Sequence, residues 1–579
     1  MTGTAVEAPP YEDEQDDAAP STTPARPAVV VWLRRPVVAA LVLLVAYFAI
    51  SLALNDPRGT LGTDTGGKLA TLHMMERNGG LDPDIGYWAE RYDPHGALQP
   101  LHYTYRVGDK WVNVTTLPMM VAAYPLYLAG GNRAVLLLPM LGAVACALAA
   151  AALTRRLVGG DGMSAFWIVG LATPVAIYAL DFWEHSIGLA LMLWAVVLVW
   201  DVMERRAGWK GALGAGVLFG VAATMRTEAL VYFLVTVGVA CLVMLWRDRS
   251  LLRPITVGVV SLGGLFAMLV GNRLLEQFLI GSDLRGARVA GTAASSGSAL
   301  TVRVQEALTT AVGLGFASLS SGKAWLLGGV VVALIAGGAW LLSTRDRVRI
   351  VAGAALLSVA ALVYLGRFTD GLGFVPGLLT ASPFAALGLV LAWRHPALRW
   401  PTSVALLALP IAWATQYSGG ADPQWGGRYL LLSSALLTIA GLAVLRGRTR
   451  ALCAVLALSS LVTLGGIAWL SVRSHTVAQG METILARHDD MLISRQTHLL
   501  REGGAFYDVD RKWLTATTPE QLRQAVAIAA ESDTAEFAVI DSPDQAEPRR
   551  LGTYERGGTQ LVPFIRPDVR VAVTTYHRS

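Results

Sequence analysis

Charge is what this chain has least of. Asp, Glu, Lys and Arg make up 15% of its 579 residues, and 54% are hydrophobic, whereas a soluble domain carries roughly 25% charge. That balance excludes an ordinary water-soluble globule. Cysteine is nearly absent. Cys146, Cys241 and Cys453 stand far apart inside apolar runs, without metal-ligand spacing, and read as small buried hydrophobes. There is no Gly-Lys-Ser/Thr phosphate loop, no HExxH, no solenoid repeat and no heptad run. An ATP-driven pump is therefore not expected, nor a nucleotide cofactor. The net charge of +5 comes with arginines scattered in short clusters, so no nucleic-acid partner is predicted.

What recurs instead is the apolar run of about 18–20 residues, long enough to cross the ~30 Å hydrocarbon layer as a helix. Runs near 36–54, 132–154, 163–180, 186–203, 210–226, 229–246, 254–272, 324–343, 350–366, 377–393, 402–416, 429–445 and 451–472 predict an all-α polytopic membrane protein of about thirteen spans. Alternating those spans gathers the basic segments on one side: Arg34/Arg35, Arg155/Arg156, Arg205/Arg206/Lys210, Arg247/Arg249/Arg253, Arg345/Arg347/Arg349, Arg394/Arg399 and Arg446/Arg448/Arg450. The opposite short connections carry only Arg226, Arg367 and Arg428. Positive residues stay cytoplasmic, so the N-terminus is predicted inside and the C-terminus outside, in a bacterial-type plasma membrane.

Three divisions follow. Residues 1–35 hold a Pro-, Ala- and acid-rich stretch that buries no core and reads as a disordered cytoplasmic tail, with no signal-peptide pattern. Residues 36–472 form the transmembrane domain, with a first outer loop at 55–131 and a mobile outer loop at 273–323 around "GTAASSGSA". Within the first loop, 113–131 is apolar but short and reads as a helix at the membrane surface. Residues 473–579 have ordinary charge and predict a small extracytoplasmic α/β domain. Its helix starts at Thr518 with Pro519 and Gln521, and its strands lie at 535–541 and 569–576.

Polar residues beside the membrane on the outer side are the candidates for chemistry, because charge at membrane depth is costly. "GTDTGGKLATLHMMERNGG" (62–80) predicts a short helix on the membrane, capped by Thr63 or Asp64, with Lys68 a surface partner of Asp64 at i+4. Asp181, Trp183, Glu184 and His185 form a polar, aromatic knot in the loop between the third and fourth spans; the bland alternative is interfacial capping. A Glu184–His185 pair suits a divalent metal or a sugar hydroxyl, and metal dependence stays open. Asp93, His95, His102 and Tyr103 lie in a loop rich in aromatic and polar groups, as carbohydrate binding uses. Arg226, Arg428, Arg285 and Arg288 are cations placed to bind phosphate bidentately; snorkelling or local ion pairing is the competing reading.

An early Asp after the first span, then a Tyr/Trp/His/Pro-rich loop, then "LPMMVAAYPLYLAGGNRAVLLLPMLGAVACALAAAALTRRLVG" resembles the GT-C glycosyltransferases. The likeness is to the protein O-mannosyltransferase and lipid A aminoarabinose transferase group (glycosyltransferase family 39-like). "LATPVAIYALDFWEHSIGLAL" and "GGRYLL" (426–431) add to it, over residues 36–472. The resemblance implies a membrane glycosyltransferase that moves a sugar from a polyprenyl-phosphate donor to a lipid, glycan or protein acceptor outside the cytoplasm, with inversion. It implies Asp64 as general base or acceptor-orienting carboxylate, and Thr65 stands where that family usually has Glu. Glu184 and His185 would assist, the four arginines would hold the donor phosphate, and Asp93, His95, His102, Tyr103 and Trp183 would meet sugar or acceptor. A transporter or flippase of lipid-linked glycan is the alternative, and repeat symmetry with mid-membrane charge would mark it.

Overall fold

The computed structural model describes residues 35–160, 162–282, 284, 300–315, 321–369, 375–415, 425–545 and 548–579. Nearly all of the predicted tail and the Gly/Ser-rich centre of the second outer loop, with Arg285 and Arg288, lie outside the described residues.

Each of the thirteen apolar runs coincides with helix. Nine described helices are long and apolar enough to cross a membrane: α1 (Pro36–Leu54), α4 (Leu137–Val158), α7 (His185–Met203), α9 (Glu228–Asp248), α10 (Leu252–Ile280), α12 (Ser321–Leu342), α13 (Arg347–Thr369), α16 (Pro396–Thr415) and α18 (Thr449–Leu485). They make the chain a multi-pass membrane protein. The other four runs give shorter helices. The run at 163–180 breaks into α5 (Met163–Leu171) and α6 (Pro174–Tyr178), because Pro174 lacks an N–H and Thr173 caps the new start by accepting from the Val175 N–H. The others are α8 (Trp209–Met225), α14 with α15 (Leu378–Ala381, Pro383–Leu391), and α17 (Leu431–Val444). α11 (Leu300–Val312) lies in the second outer loop.

Four of the seven basic segments, those at 155/156, 205–210, 247–253 and 446–450, are joined at one end. Arg156 pairs with Asp201 at 2.7 Å, Arg253 donates to the carbonyls of Val202 and Met203, and Arg446 donates to the Val158 carbonyl. At the other end the chain builds a cap. The first loop contributes α2 (Thr63–Arg77), the hairpin β1–β2 (Thr104–Val107, Lys110–Asn113) and α3 (Leu117–Ala134). α18 runs on past 472 to Leu485 and leads straight into the C-terminal domain.

That domain is the predicted α/β module. Its sheet has the order β4-β3-β5-β8-β7-β6, with β3 (Met491–Ser494) parallel to both β4 (Lys512–Thr515) and β5 (Glu536–Asp541). The antiparallel half is β6 (Arg550–Leu551), β7 (Tyr554–Phe564) and β8 (Arg566–Arg578). Between β3 and β4 lies α19 (Leu499–Glu502). α20 (Pro519–Glu531) opens with the expected capping box of Thr518 and Gln521 and buries Leu522, Val526 and Ile528.

Two expectations for α2 are corrected. Its N-cap is Gly62, without a side-chain capping bond, so Asp64 is no cap but a first-turn residue with its carboxylate free for other partners. Nor does α2 rest on the membrane: residues 65–72 are buried all round, against α3 on one side and the C-terminal segment 499–506 on the other.

Candidate functional site

Five separate pieces of chain meet at the capped end of the bundle. α2 brings Asp64 and Lys68; the turn before α7 brings Trp183, Glu184 and His185. Arg226 sits in the break between α8 and α9. Arg428 follows Gly426 and Gly427, both in the left-handed region (φ +79° and +68°), where a side chain would be strained. The Gly-Gly pair thus turns the chain so that Arg428 points back into the cap. The fifth piece is α19, with Arg501.

Ion pairs link them. Lys68 pairs with Glu184, which also takes Arg226 at 3.2 Å; Arg226 in turn holds Glu228 at 2.8 Å. Asp64 is shared by two guanidiniums, Arg428 at 3.4 Å on one carboxylate oxygen and Arg501 at 3.2 Å on the other. Aromatic rings line the group. Arg226 and Arg428 lie over Tyr429 at 4.9 and 4.8 Å, Arg428 and Lys68 over Trp183 at 5.5 and 5.9 Å, and Arg501 over Tyr103 at 4.7 Å.

The members differ in access. Lys68, Glu184, Arg226, Glu228 and Arg501 are all buried, and the Asp64 side chain keeps 34% of its surface exposed. Burial by itself pushes the Asp64 carboxyl up, but Arg501, Arg428, Lys68 and Arg226 outweigh it and hold the group well below the usual carboxylate range. It is an anion held open to solvent by surrounding cations. The ion pairs among the described residues join four cations, Lys68, Arg226, Arg428 and Arg501, with three carboxylates, Asp64, Glu184 and Glu228. Arg226 Nη2 and Arg501 Nε are buried without a hydrogen-bond partner among the described residues. Such a group suits a small anion with several acceptor oxygens.

Asp181 supports the cluster from beneath. Its carboxylate accepts from the Leu61 N–H at 3.1 Å and from the Thr65 hydroxyl, tying the first turn of α2 to the loop before α7. Burial pushes this carboxyl up to about 6 against the hydrogen bonds and the nearby Lys68 and Arg473. A small crevice, about large enough for a single water, adjoins it, lined by Asn55, Thr65, Leu180 and Ser474 among others.

Of the residues singled out in the sequence, the structure brings together Asp64, Glu184, Arg226, Arg428 and Trp183, with Tyr103 at the edge. Lys68 is a correction. It is no surface partner of Asp64: it is 2% exposed and paired with Glu184. His185 is buried, its ring stacked on Tyr178 (centroids 4.9 Å, 14°) and edge-on to Trp183. Among the described residues no three His, Cys, Asp or Glu side chains are grouped to hold a metal ion. His102 packs on Tyr103 and His498, and burial, with His498 and Arg501 adding to it, lowers its imidazole to about 4. Asp93 lies apart, accepting from the Tyr87 hydroxyl and the Leu98 N–H to hold the loop's own fold; His95 is exposed and outside the cluster.

His498 and Arg501 went unnoticed in the sequence. Glu228 was expected only as the local ion-pair partner of Arg226, a pairing the structure contains, and Tyr429 only as part of "GGRYLL". Arg501 gave no signal: it lies 438 positions from its partner Thr63, in a domain that looked separate.

No family model and no curated protein matches the chain. Among solved structures, ArnT from Cupriavidus metallidurans bound to undecaprenyl phosphate is similar at 15% identity and a TM-score of 0.39, over 94% of this chain and 98% of that one. The oligosaccharyltransferase AglB from Archaeoglobus fulgidus, in complex with an inhibitory peptide and a dolichol-phosphate, is similar at 13% identity and a TM-score of 0.43, over 86% of this chain and 69% of that one. At such scores the site is read from its own geometry.

Proposed function

We propose that the chain is a GT-C-type membrane glycosyltransferase, working on the extracytoplasmic side and moving a sugar from a polyprenyl-phosphate donor to an acceptor hydroxyl. The observation that carries this reading is the buried cation cluster around one accessible carboxylate, at the end of the bundle opposite the basic segments. The positive-inside pattern makes that end the outer one.

The chemistry follows from the charges. The acceptor hydroxyl oxygen attacks the anomeric carbon from the face opposite the phosphate; that carbon inverts as its bond to the phosphate oxygen breaks. The bonding electrons leave with the polyprenyl phosphate, and the hydroxyl proton goes to Asp64. A carboxylate held so acidic is a weak base at rest. As negative charge builds on the leaving phosphate, Arg428 is drawn to it and its hold on Asp64 relaxes, so the carboxylate gains basicity as the proton is released. Glu184, with Lys68 and Arg226, keeps the cations in place, and Tyr103, His102 and Trp183 present ring faces beside the reacting centre.

The test is to incubate purified full-length protein with polyprenyl-phosphate sugars and an extract of cell-envelope acceptors, and follow released polyprenyl phosphate. Release that depends on Asp64 supports the reading. No release with any donor, combined with movement of a labelled lipid-linked glycan across vesicles, would point to transport instead.

A further inference from the structure

We infer that the C-terminal domain is part of the donor site: Arg501, carried on α19, binds the phosphate of the lipid donor together with Arg428. The inference rests on the glycosyltransferase reading and deepens it.

Charge placement locates the anion. Lys68 and Arg226 sit on Glu184 and Glu228, deep in the cluster, whereas one carboxylate, Asp64, is shared between Arg428 and Arg501. Two guanidiniums thus meet one carboxylate, at the member open to solvent. A phosphodiester is an anion, and both guanidiniums offer planar forks to its oxygens. Arg501 is 2% exposed, yet its Nε has no hydrogen-bond partner among the described residues. A buried guanidinium left with an unused donor is costly unless something fills it.

The surrounding fold holds Arg501 there from both sides. Its neighbour Glu502 takes Arg473 of α18 at 2.7 Å and the Thr60 hydroxyl at 2.9 Å, which fixes α19 to the bundle. On the other side the backbones of Gly66 and Gly504 touch: a Cβ on Gly504 would lie 1.9 Å from the Gly66 carbonyl oxygen. Gly67 leaves room for the guanidinium itself, since a Cβ there would lie 3.0 Å from Arg501 Nε. α2 and α19 are thus shaped to let this one side chain reach Asp64.

The experiment measures equilibrium binding of a C55 polyprenyl monophosphate to the full chain in nanodiscs. Arg501→Gln is expected to weaken binding at least tenfold, as Arg428→Gln does. Arg578→Gln, which removes an exposed arginine of the same domain that pairs only at the surface with Asp533, should change it by less than about threefold. In wild-type protein the lipid phosphate should slow hydrogen exchange at 499–504, a readout that needs no variant to fold. Arg501→Gln binding like wild type while Arg428→Gln fails, or unchanged exchange at 499–504 in protein that binds the lipid, would overturn this inference alone. Wild-type protein that binds no polyprenyl phosphate would overturn the parent reading as well.

Discussion

At the scale of single residues, the cluster divides into one reacting group and its holders. Lys68 is a holder. Removing it leaves Glu184 in a buried site with one cation fewer, and breaking such a pair costs roughly 3–5 kcal/mol. Lys68→Met should lower the melting temperature sharply, and adding Glu184→Gln should restore part of the loss; a thermal unfolding series in one detergent reads both. Asp181 gives a pH-dependent counterpart. Its carboxyl titrates near 6 in the folded protein against an ordinary value of 3.8. The group's contribution is therefore full below about pH 3.8 and is lost as pH rises through 6. Over two pH units that amounts to roughly 3 kcal/mol. The stability difference between wild type and Asp181→Asn should move by about that much between pH 4 and 7, in favour of Asn at the higher pH. A difference that stays flat with pH would contradict it.

At the scale of elements, most of the fold was legible. Apolar runs mark helices because each must satisfy its own backbone in lipid, and Thr518 and Gln521 marked the start of α20 through local bonds alone. What was not legible depends on contacts between distant pieces. α2 looked like a short helix lying on the membrane; the sequence contains no sign that 499–506 closes over it. Lys68 was misread for the same reason. β3 and β4 are four residues each, too short for a period to show. The Gly66–Gly504 contact is where this hidden packing is most exposed to test. Gly504→Ala has nowhere to put its methyl without moving the backbone of α2, and overpacking of this kind costs about 1–3 kcal/mol. Faster proteolysis of the C-terminal domain in membranes should report it, and Gly558→Ala, with open space around it, should behave as wild type.

At the scale of the whole molecule, one end of the bundle is basic and ordinary while the other carries the cap and the cluster. If the positive-inside pattern sets the orientation, a cysteine placed at exposed Asp568 should react with an impermeant maleimide on intact cells, and one placed at Arg345 should react only after permeabilisation. The reverse pattern would put the cluster on the cytoplasmic side and remove the basis for an outer-face transferase. The division of labour within the cap also predicts how binding and turnover separate. Arg428 and Arg501 hold the donor, so their loss weakens binding. Asp64 takes the proton, so its loss should leave binding intact, and even slightly stronger, since both guanidiniums are then released to the phosphate.

The most direct measurement is therefore a paired one on Asp64→Asn: turnover of a polyprenyl-phosphate sugar, and binding of the polyprenyl phosphate product. The account predicts turnover reduced at least about a hundredfold with binding undiminished. Turnover within a fewfold of wild type would contradict the role given to Asp64.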